Sequence, residues 1–385
     1  MPGQIALTPI DRTSPTLWSH MRLCALRGAF AASSAAQGLV LHDPRTWLGT
    51  AFHKVMEAAA RPGATKADAE QAWTATVAQA SAAAASHALD ARYAAPERWP
   101  GYFLVRQRAL ASAQRTIATN PGGQRRPAPV GGTRGSGAST ERLLLARGGR
   151  LAGRPDRFDG RVLTEYKSSI PDPAWRGADA ILEGFRRQLR LYAAIIAEAL
   201  GRWPAEGRIV AASGQTLDVP IDPPACNAEA SDALAALDSL NRQLAAEAPA
   251  GALAQPEDQA CADCPFQVLC PSFWPWLAAT GSGGLPETAA AGVLDRIELG
   301  LDGDLYTAYL SVDQPSMPPG IQPLVLRRSI HGDLTASPPG AHWRIVAAKL
   351  KPDGRLRADP STCVFALDDL PGIVTADESA RERAD

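Results

Sequence analysis

Residues 151–169 (LAGRPDRFDGRVLTEYKSS) have the pattern of a β-hairpin in which charged side chains are concentrated. Two short strand-like runs flank the dipeptide Asp159-Gly160, which is typical of a tight hairpin turn. Asp156 comes nine positions before Glu165, and Lys167 follows two positions later. A hairpin here brings two carboxylates and a lysine to neighbouring strands, so this stretch constrains both the fold and the chemistry.

The segments around the hairpin predict a mixed sheet flanked by helices. Apolar periodicity and capping signals predict helices over 15–32, 46–60, 65–90, 101–119, 178–200 and 226–247. Further strands are predicted over 142–147, 207–213 and 215–221, and a Gly- and Pro-rich loop over 120–140. The order of predicted elements is four helices, three strands, a helix, two strands and a helix. This order is typical of an α/β fold.

The hairpin carboxylates are candidate ligands of a hard divalent cation. Asp156 and Glu165 can converge on one ion, since Mg²⁺ and Mn²⁺ prefer oxygen ligands, and the Tyr166 backbone carbonyl can add a further ligand. Side chains two residues apart on a strand share a face, so Lys167 is expected beside the metal with Glu165. There it can position an attacking water or offset developing charge.

Two helices carry further candidates for the same site. His53 and Glu57 are four residues apart on one predicted helix, and an imidazole can complete a carboxylate metal site. Gln188 and Tyr192 are four apart on the helix after the hairpin, where both can reach DNA phosphates or a metal-bound water.

The cysteines predict a second, softer metal centre. Cys261, Cys264 and Cys270 form a C-x2-C-x5-C pattern, and Cys24 is the natural candidate for a fourth ligand. The four thiols alone do not distinguish zinc from an iron–sulfur cluster. Cys226 and Cys363 have no companions and are expected to act as small hydrophobic residues.

Four motifs in order, "GTAFH", "GRPD", "EYK" and "QLRLY", resemble those of the PD-(D/E)XK nuclease superfamily and its RecB-like members. The resemblance covers about residues 15–275. With the cysteines, the chain is similar to iron–sulfur RecB-like nucleases such as the AddB nuclease domain and CRISPR-associated exonucleases.

The resemblance implies a restriction-endonuclease-like core in residues 1–278. It also implies a [4Fe-4S] cluster that joins the two ends of this domain through the four cysteines, and cleavage of single-stranded DNA from an end. The implied metal ligands are His53, Asp156, Glu165 and the Tyr166 carbonyl, with Lys167, Gln188 and Tyr192 as further catalytic residues.

The remaining chain predicts a small all-β domain. Residues 279–291 have the composition of a linker, and short strand-like runs over 292–370 indicate a barrel, OB-like in type, before a charged tail at 371–385. Tyr306, Tyr309 and Trp343 are candidate platforms on which the bases of a single strand could stack.

Charge and composition favour a nucleic-acid partner in the cytoplasm. Between Arg98 and Arg190 the chain has 17 Arg and one Lys against seven acids, although its net charge is −1. The sequence lacks an apolar run long enough to span a membrane, and its first residues lack the pattern of a signal peptide.

Two other kinds of protein fit parts of the pattern. One is a non-catalytic DNA-binding or scaffolding subunit of a helicase–nuclease complex, and the other is a zinc-bearing RNA-binding protein. The sequence has no Walker A motif, so unwinding would need a separate helicase. DNA repair, recombination and defence against phage are all compatible with the predicted activity.

Overall fold

The structure is a computed structural model that describes residues 5, 7–87, 89–119, 142–172, 174, 177–281, 288–312, 314, 315, 317, 318 and 320–367. The predicted loop 120–140 and the predicted tail 371–385 lie outside these residues. Among the described helices, none is both long and apolar enough to cross a membrane.

The helices of the described residues follow the predicted periodicity closely. They are α1 (Pro15–Leu23), α2 (Ala25–Ala32), α3 (Pro44–Ala59), α4 (Lys66–Ser86), α5 (Tyr102–Thr119), α6 (Ala178–Leu200), α7 (Pro223–Ala245), α8 (Ala250–Leu253), α9 (Asp258–Cys261), α10 (Phe273–Thr280) and α11 (Arg328–His331). Helix α4 begins with a capping box, in which the side chains of Thr65 and Asp68 each accept from the other's backbone N–H.

The described strands form three sheets. They are β1 (Leu144–Ala146), β2 (Leu151–Gly153), β3 (Arg157–Phe158), β4 (Val162–Lys167), β5 (Glu206–Ala211), β6 (Thr216–Val219), β7 (Thr288–Leu299), β8 (Leu305–Ser311), β9 (Ile321–Arg327), β10 (His342–Leu350), β11 (Leu356–Arg357) and β12 (Cys363–Ala366). Strands β1 and β2 pair with each other, and the other strands divide into a central sheet and a C-terminal sheet.

The central sheet has the order β3-β4-β5-β6 and mixes both kinds of pairing. The predicted hairpin is the antiparallel pair β3–β4, while β4 and β5 are parallel and are connected through α6. Leu163 on β4 and Leu189 on α6 are fully buried in one core. This crossover therefore fixes α6 against the strand that carries Glu165 and Lys167.

The helix predicted over 15–32 is interrupted at Cys24. This residue has φ −164° and ψ 130°, so it is extended and ends α1 while serving as the N-cap of α2. The local periodicity did not reveal the break, because both helices bury apolar faces in the same core.

The C-terminal sheet is antiparallel and nearly closed. Its order is β11-β10-β7-β8-β9, with β12 also paired to β10, so β10 returns beside β7 in Greek-key fashion. Helix α10 reaches Thr280 and β7 starts at Thr288, so regular structure overlaps both ends of the segment 279–291 expected to be a linker.

The aromatic residues of this sheet differ from the prediction. Tyr306 and Trp343 are 1% and 0% exposed, so they fill the core and cannot stack on bases. Tyr309 is half-buried and carries the Arg296 guanidinium 3.7 Å from its ring centroid. The expectation of three stacking platforms was wrong for Tyr306 and Trp343, because alternation along the strands turns both rings inward.

The two main parts of the chain meet in one apolar cluster. Leu89, Phe273 and Trp274 pack there with Cys363 and Phe365 from β12. The cluster lies beside the cysteine-rich segment, whose Cys261 belongs to it.

Candidate active site

Asp156 lies between β2 and β3 and contacts two other elements. Its Oδ1 is 3.1 Å from Nδ1 of His53 on α3, and its Oδ2 accepts from the Tyr166 backbone N–H at 2.7 Å. The second bond fixes the carboxylate against β4. The sequence motifs around His53, Asp156 and Tyr166 are therefore brought together, although 103 positions separate His53 from Asp156.

Glu165, Lys167 and Gln188 form a connected hydrogen-bonded group. Lys167 Nζ donates to Glu165 Oε1 at 3.1 Å and to Gln188 Oε1 at 2.7 Å, and Gln188 Nε2 donates to Glu165 Oε1 at 2.7 Å. Phe185 lies one helical turn before Gln188, and Lys167 Nζ is 5.1 Å from the centroid of its ring. Gln188 and Phe185 of α6 thus hold the Lys167 ammonium in place.

The faces of β4 agree with the expected alternation. Glu165 and Lys167 contact Gln188 on α6, whereas the Tyr166 ring packs with Phe52 and His53 of α3. Strand β4 therefore presents Glu165 and Lys167 to α6 and Tyr166 to α3. Asp156, next to the edge strand β3, contacts both His53 on α3 and Tyr166 on β4.

Glu165 has an unusual environment for a carboxylate. It is 3% exposed, and its Oε2 is buried without a hydrogen-bond partner among the described residues. Burial raises the pKa of Glu165 to about 7, in spite of the opposing charge and hydrogen bond of Lys167. An unpaired buried oxygen costs free energy, so a proton or a cation at Oε2 would stabilise the site.

The pKa of His53 is also raised, but by its charged neighbours rather than by burial. Burial alone would lower its pKa, but the hydrogen bond and charge of Asp156, with the charge of Glu165, raise the pKa above its ordinary value. The two carboxylates therefore create a field that attracts a cation to this end of the sheet.

These observations fit a divalent cation held by oxygen and nitrogen ligands. Such an ion would bind the unpaired Glu165 Oε2 and would be attracted by the field of the two carboxylates. The ligand atoms of His53, Asp156 and Glu165 do not all lie within 4.8 Å of one another in the described structure. Bound metal would therefore draw the His53–Asp156 pair and Glu165 closer together.

Tyr192 lies behind the site rather than at its surface. It is 7% exposed, and burial raises its pKa well above the ordinary value. A Cβ placed on Gly153 would come within 2.9 Å of the Tyr192 ring and 2.8 Å of Ile195 Cδ1. The glycine of the "GRPD" motif is thus required by the close approach of β2 to α6, which sequence spacing alone did not reveal.

A shallow pocket opens beside Asp156 towards solvent. It is lined by His53, Met56, Glu57, Ala60, Asp156, Arg157 and Tyr166. Glu57, expected on the His53 face, contributes to this rim and pairs with Lys54 at 2.9 Å. Sequence reasoning had not singled out Arg157, which follows Asp156 directly.

The four predicted cysteine ligands lie in two apolar clusters: Cys24, Cys264 and Cys270 pack against one, and Cys261 belongs to another, which Cys270 also contacts. In the part of the chain that the structure describes, no three of their sulfur atoms lie within 4.8 Å of one another. Burial raises the pKa of Cys264 to about 12 and that of Cys270 to about 11. The Cys24 thiol adds to the raised pKa values of both Cys261 and Cys270. Cys226 is fully buried among apolar side chains, as expected of a small hydrophobic residue.

Arg27 connects α2 to the cysteine-rich segment. It is 9% exposed, and its guanidinium donates to the carbonyls of Ala260 and Asp263, both at 3.1 Å, and to His20 Nδ1 at 2.8 Å. All three acceptors are neutral, because burial and Arg27 lower the pKa of His20 to about 4. The charge of Arg27 also opposes the raised pKa values of Cys261 and Cys264.

Comparison with known families agrees with this geometry. The family model of the PD-(D/E)XK nuclease superfamily matches residues 13–271. The chain therefore belongs to the PD-(D/E)XK nuclease superfamily. No curated protein matches the chain.

Proposed function

We propose that this protein is a metal-dependent deoxyribonuclease of the RecB-like type that hydrolyses single-stranded DNA from an end. Membership of a nuclease superfamily supports phosphodiester hydrolysis. The observation that carries the proposal is the buried Glu165, whose one oxygen accepts from Lys167 and Gln188 while the other has no partner among the described residues. A buried carboxylate with one unpaired oxygen is suited to bind a cation.

In this proposal Asp156, Glu165 and His53, with the Tyr166 carbonyl, hold Mg²⁺ or Mn²⁺. When bound, such an ion supplies Lewis-acid polarisation of the scissile phosphate and lowers the pKa of a water ligand. Asp156 is oriented for this role by the Tyr166 N–H.

Lys167 acts on the phosphate in the transition state. Its ammonium is 20% exposed, and Gln188 and Glu165 fix its direction. It can hold the attacking water by a hydrogen bond and offset charge on the phosphoryl oxygens. Tyr192 is buried, which favours a role in positioning Gln188 over a direct contact to the strand.

The basic segment and the C-terminal sheet support DNA as the substrate. Arg154 and Arg157 flank Asp156, and Arg154 is exposed. A cleft of 570 Å³ lies where the C-terminal sheet is nearly closed, and its lining includes Arg327, Lys351, Arg355 and Arg357. In an OB-like domain this face and the loop before β11 are where oligonucleotides bind.

A [4Fe-4S] cluster held by Cys24, Cys261, Cys264 and Cys270 is the second part of the proposal, with zinc as the alternative. The thiols of Cys261 and Cys264, which feel the charge of Arg27, would be anionic when they bind a metal, and the buried guanidinium has no ion-pair partner among the described carboxylates. A thiolate-bound cluster would supply that missing negative charge. DNA repair, recombination or defence, together with a separate helicase, is the proposed setting.

Nuclease assays with matched lysine variants test the proposed activity. Linear and circular single strands and duplex DNA are incubated with the protein plus Mg²⁺, Mn²⁺ or EDTA. We expect cleavage of linear single strands with either metal, little cleavage of circles, and none with EDTA.

Lys167→Met should lower the rate by about 10²-fold or more while DNA binding and folding are kept. Lys66→Met, an exposed lysine on α4, should keep the wild-type rate. DNA binding without cleavage by the wild type would instead favour the non-catalytic subunit. Cutting of circles as fast as linear strands would rule out the exonuclease mode.

A further inference from the structure

Two histidines and a buried aspartate outside the nuclease motifs meet at one point. Nδ1 of His42 is 2.5 Å and Nδ1 of His87 is 2.9 Å from the same oxygen, Oδ2 of Asp90. These three ligand atoms lie within 4.8 Å of one another, and among the described residues they form the one such group of three. Asp90 is fully buried, while about a third of the His42 side chain is exposed.

We propose that His42, His87 and Asp90 form a binding site for a zinc-like divalent transition-metal ion. Two imidazoles and one carboxylate are a donor set that Zn²⁺ accepts, whereas Mg²⁺ prefers oxygen ligands and more water. This inference does not rest on the proposed nuclease activity, because none of the three residues belongs to the candidate active site.

The geometry is close to that of a zinc site. With zinc–ligand bonds of about 2.0–2.2 Å, ligand atoms on a tetrahedron are about 3.4 Å apart. Each of the two nitrogens would therefore move away from Asp90 Oδ2 by less than about 1 Å to admit an ion. Water can reach a fourth position through the exposed side of His42.

The surroundings of His87 also suit a ligand that binds through Nδ1. Its Nδ1 faces Asp90 Oδ2, and its Nε2 is buried without a hydrogen-bond partner among the described residues. A histidine that binds a metal through Nδ1 carries its proton on Nε2. Arg92 also lies beside the group, with its Nη1 3.9 Å from Asp90 Oδ1.

The position of the site indicates a structural role at the junction of the two parts. His42 lies directly before α3, which carries His53, and its neighbour Leu41 donates to the Pro265 carbonyl at 2.8 Å. On the other side, the Leu89 carbonyl accepts from the Cys363 thiol at 3.6 Å, and Arg92 donates to the Ser361 carbonyl at 3.2 Å. A bound ion would tie the start of α3 to the segment that contacts the C-terminal sheet.

Metal analysis of the full chain tests the site. The protein is stripped with a mild chelator, incubated with Zn²⁺ in the presence of excess Mg²⁺, desalted and assayed for zinc by mass spectrometry. We expect one zinc per chain for the wild type and for His342→Ala, which removes an exposed histidine on β10. His87→Ala and Asp90→Asn should each bind Zn²⁺ at least ten-fold more weakly.

Cobalt distinguishes this site from the cysteine centre. Co²⁺ bound by His42, His87 and Asp90 should give visible d–d absorption without an intense thiolate-to-cobalt charge-transfer band. Absence of bound zinc in the wild type, or zinc content unchanged by His87→Ala and Asp90→Asn, would overturn the proposal. If either variant fails to fold, the cobalt spectrum of the wild type tests the proposed site instead. A spectrum that shows only an intense thiolate-to-cobalt band, without the d–d absorption of a nitrogen–oxygen site, would also refute the proposal.

Discussion

Gly153→Ala is expected to separate β2 from α6 and so disturb the site from behind. The added Cβ would lie 2.8 Å from Ile195 Cδ1 and between 2.9 and 3.0 Å from two carbons of the Tyr192 ring. Both neighbours are buried, and Ile195 is 0% exposed, so neither can swing into solvent. The helix must then move outward by a few tenths of an ångström, and it carries Gln188 with it.

The cost follows from overpacking in a dense core. An extra methyl group in such a place destabilises a protein by about 1–3 kcal/mol. For a domain of this size each kcal/mol lowers the melting temperature by about 2–4 °C. Since Gln188 orients both Glu165 and Lys167, we also expect kcat to fall more than the affinity for DNA.

Urea unfolding followed by tryptophan fluorescence measures the stability change, and initial rates on linear single strands measure the effect on activity. The matched control is Gly184→Ala, an exposed position on α6 where a Cβ meets nothing within 4 Å. This change should be neutral or stabilising by about 0.5–1 kcal/mol, as expected for glycine to alanine in a helix.

A double-mutant cycle identifies the atoms responsible. Ile195→Val removes the Cδ1 that the new Cβ would meet first, so it should recover part of the stability lost in Gly153→Ala. Unchanged stability in Gly153→Ala, or additive effects in the double variant, would refute the contact argument.

Three further predictions follow from the proposed centres and the cleft. Cys24→Ala should remove the brown colour of anaerobically purified protein and destabilise the protein by about 5 kcal/mol on a loop-closure estimate. The control Cys226→Ala should keep the colour. Colour retained in Cys24→Ala would mean that a different residue is the fourth ligand. Asp156→Asn should weaken Mn²⁺ binding in calorimetry by at least ten-fold, and unchanged binding would remove Asp156 from the ligand set. Joint charge reversal of Lys351 and Arg357, both exposed, should weaken single-strand binding and lower its salt dependence, whereas unchanged binding would assign the cleft to another ligand.

The parts of the fold that sequence predicts well are those determined by local patterns. The hairpin at Asp159-Gly160 and the capping box at Thr65 depend on neighbouring residues, and the structure contains both. Helix α6 matches its predicted range, 178–200, because its apolar stripe is long and regular. The side-by-side placement of Glu165 and Lys167 also follows from strand alternation alone.

Features that depend on contacts between distant segments were not predictable in the same way. Whether Tyr306 and Trp343 point into or out of the C-terminal sheet depends on which face is covered, and a single strand does not carry that information. The need for Gly153 arises from a helix about forty residues further along the chain. The group at His42, His87 and Asp90 gave no signal at all, because its members have no recognisable spacing.

The break at Cys24 combines a local backbone feature with contacts between distant segments. Its extended backbone ends α1 and lets α2 start in a new direction, and Arg27, one turn later, reaches the carbonyls of Ala260 and Asp263. The two ends of the nuclease domain are thus held together by hydrogen bonds of a buried cation before any metal is considered. Such a cation, surrounded by neutral acceptors, is stabilised when nearby thiols become thiolates, because burial without a counter-charge is costly. The charge of Arg27 therefore supports the proposed cysteine centre on electrostatic grounds, independently of the C-x2-C-x5-C spacing that first indicated it.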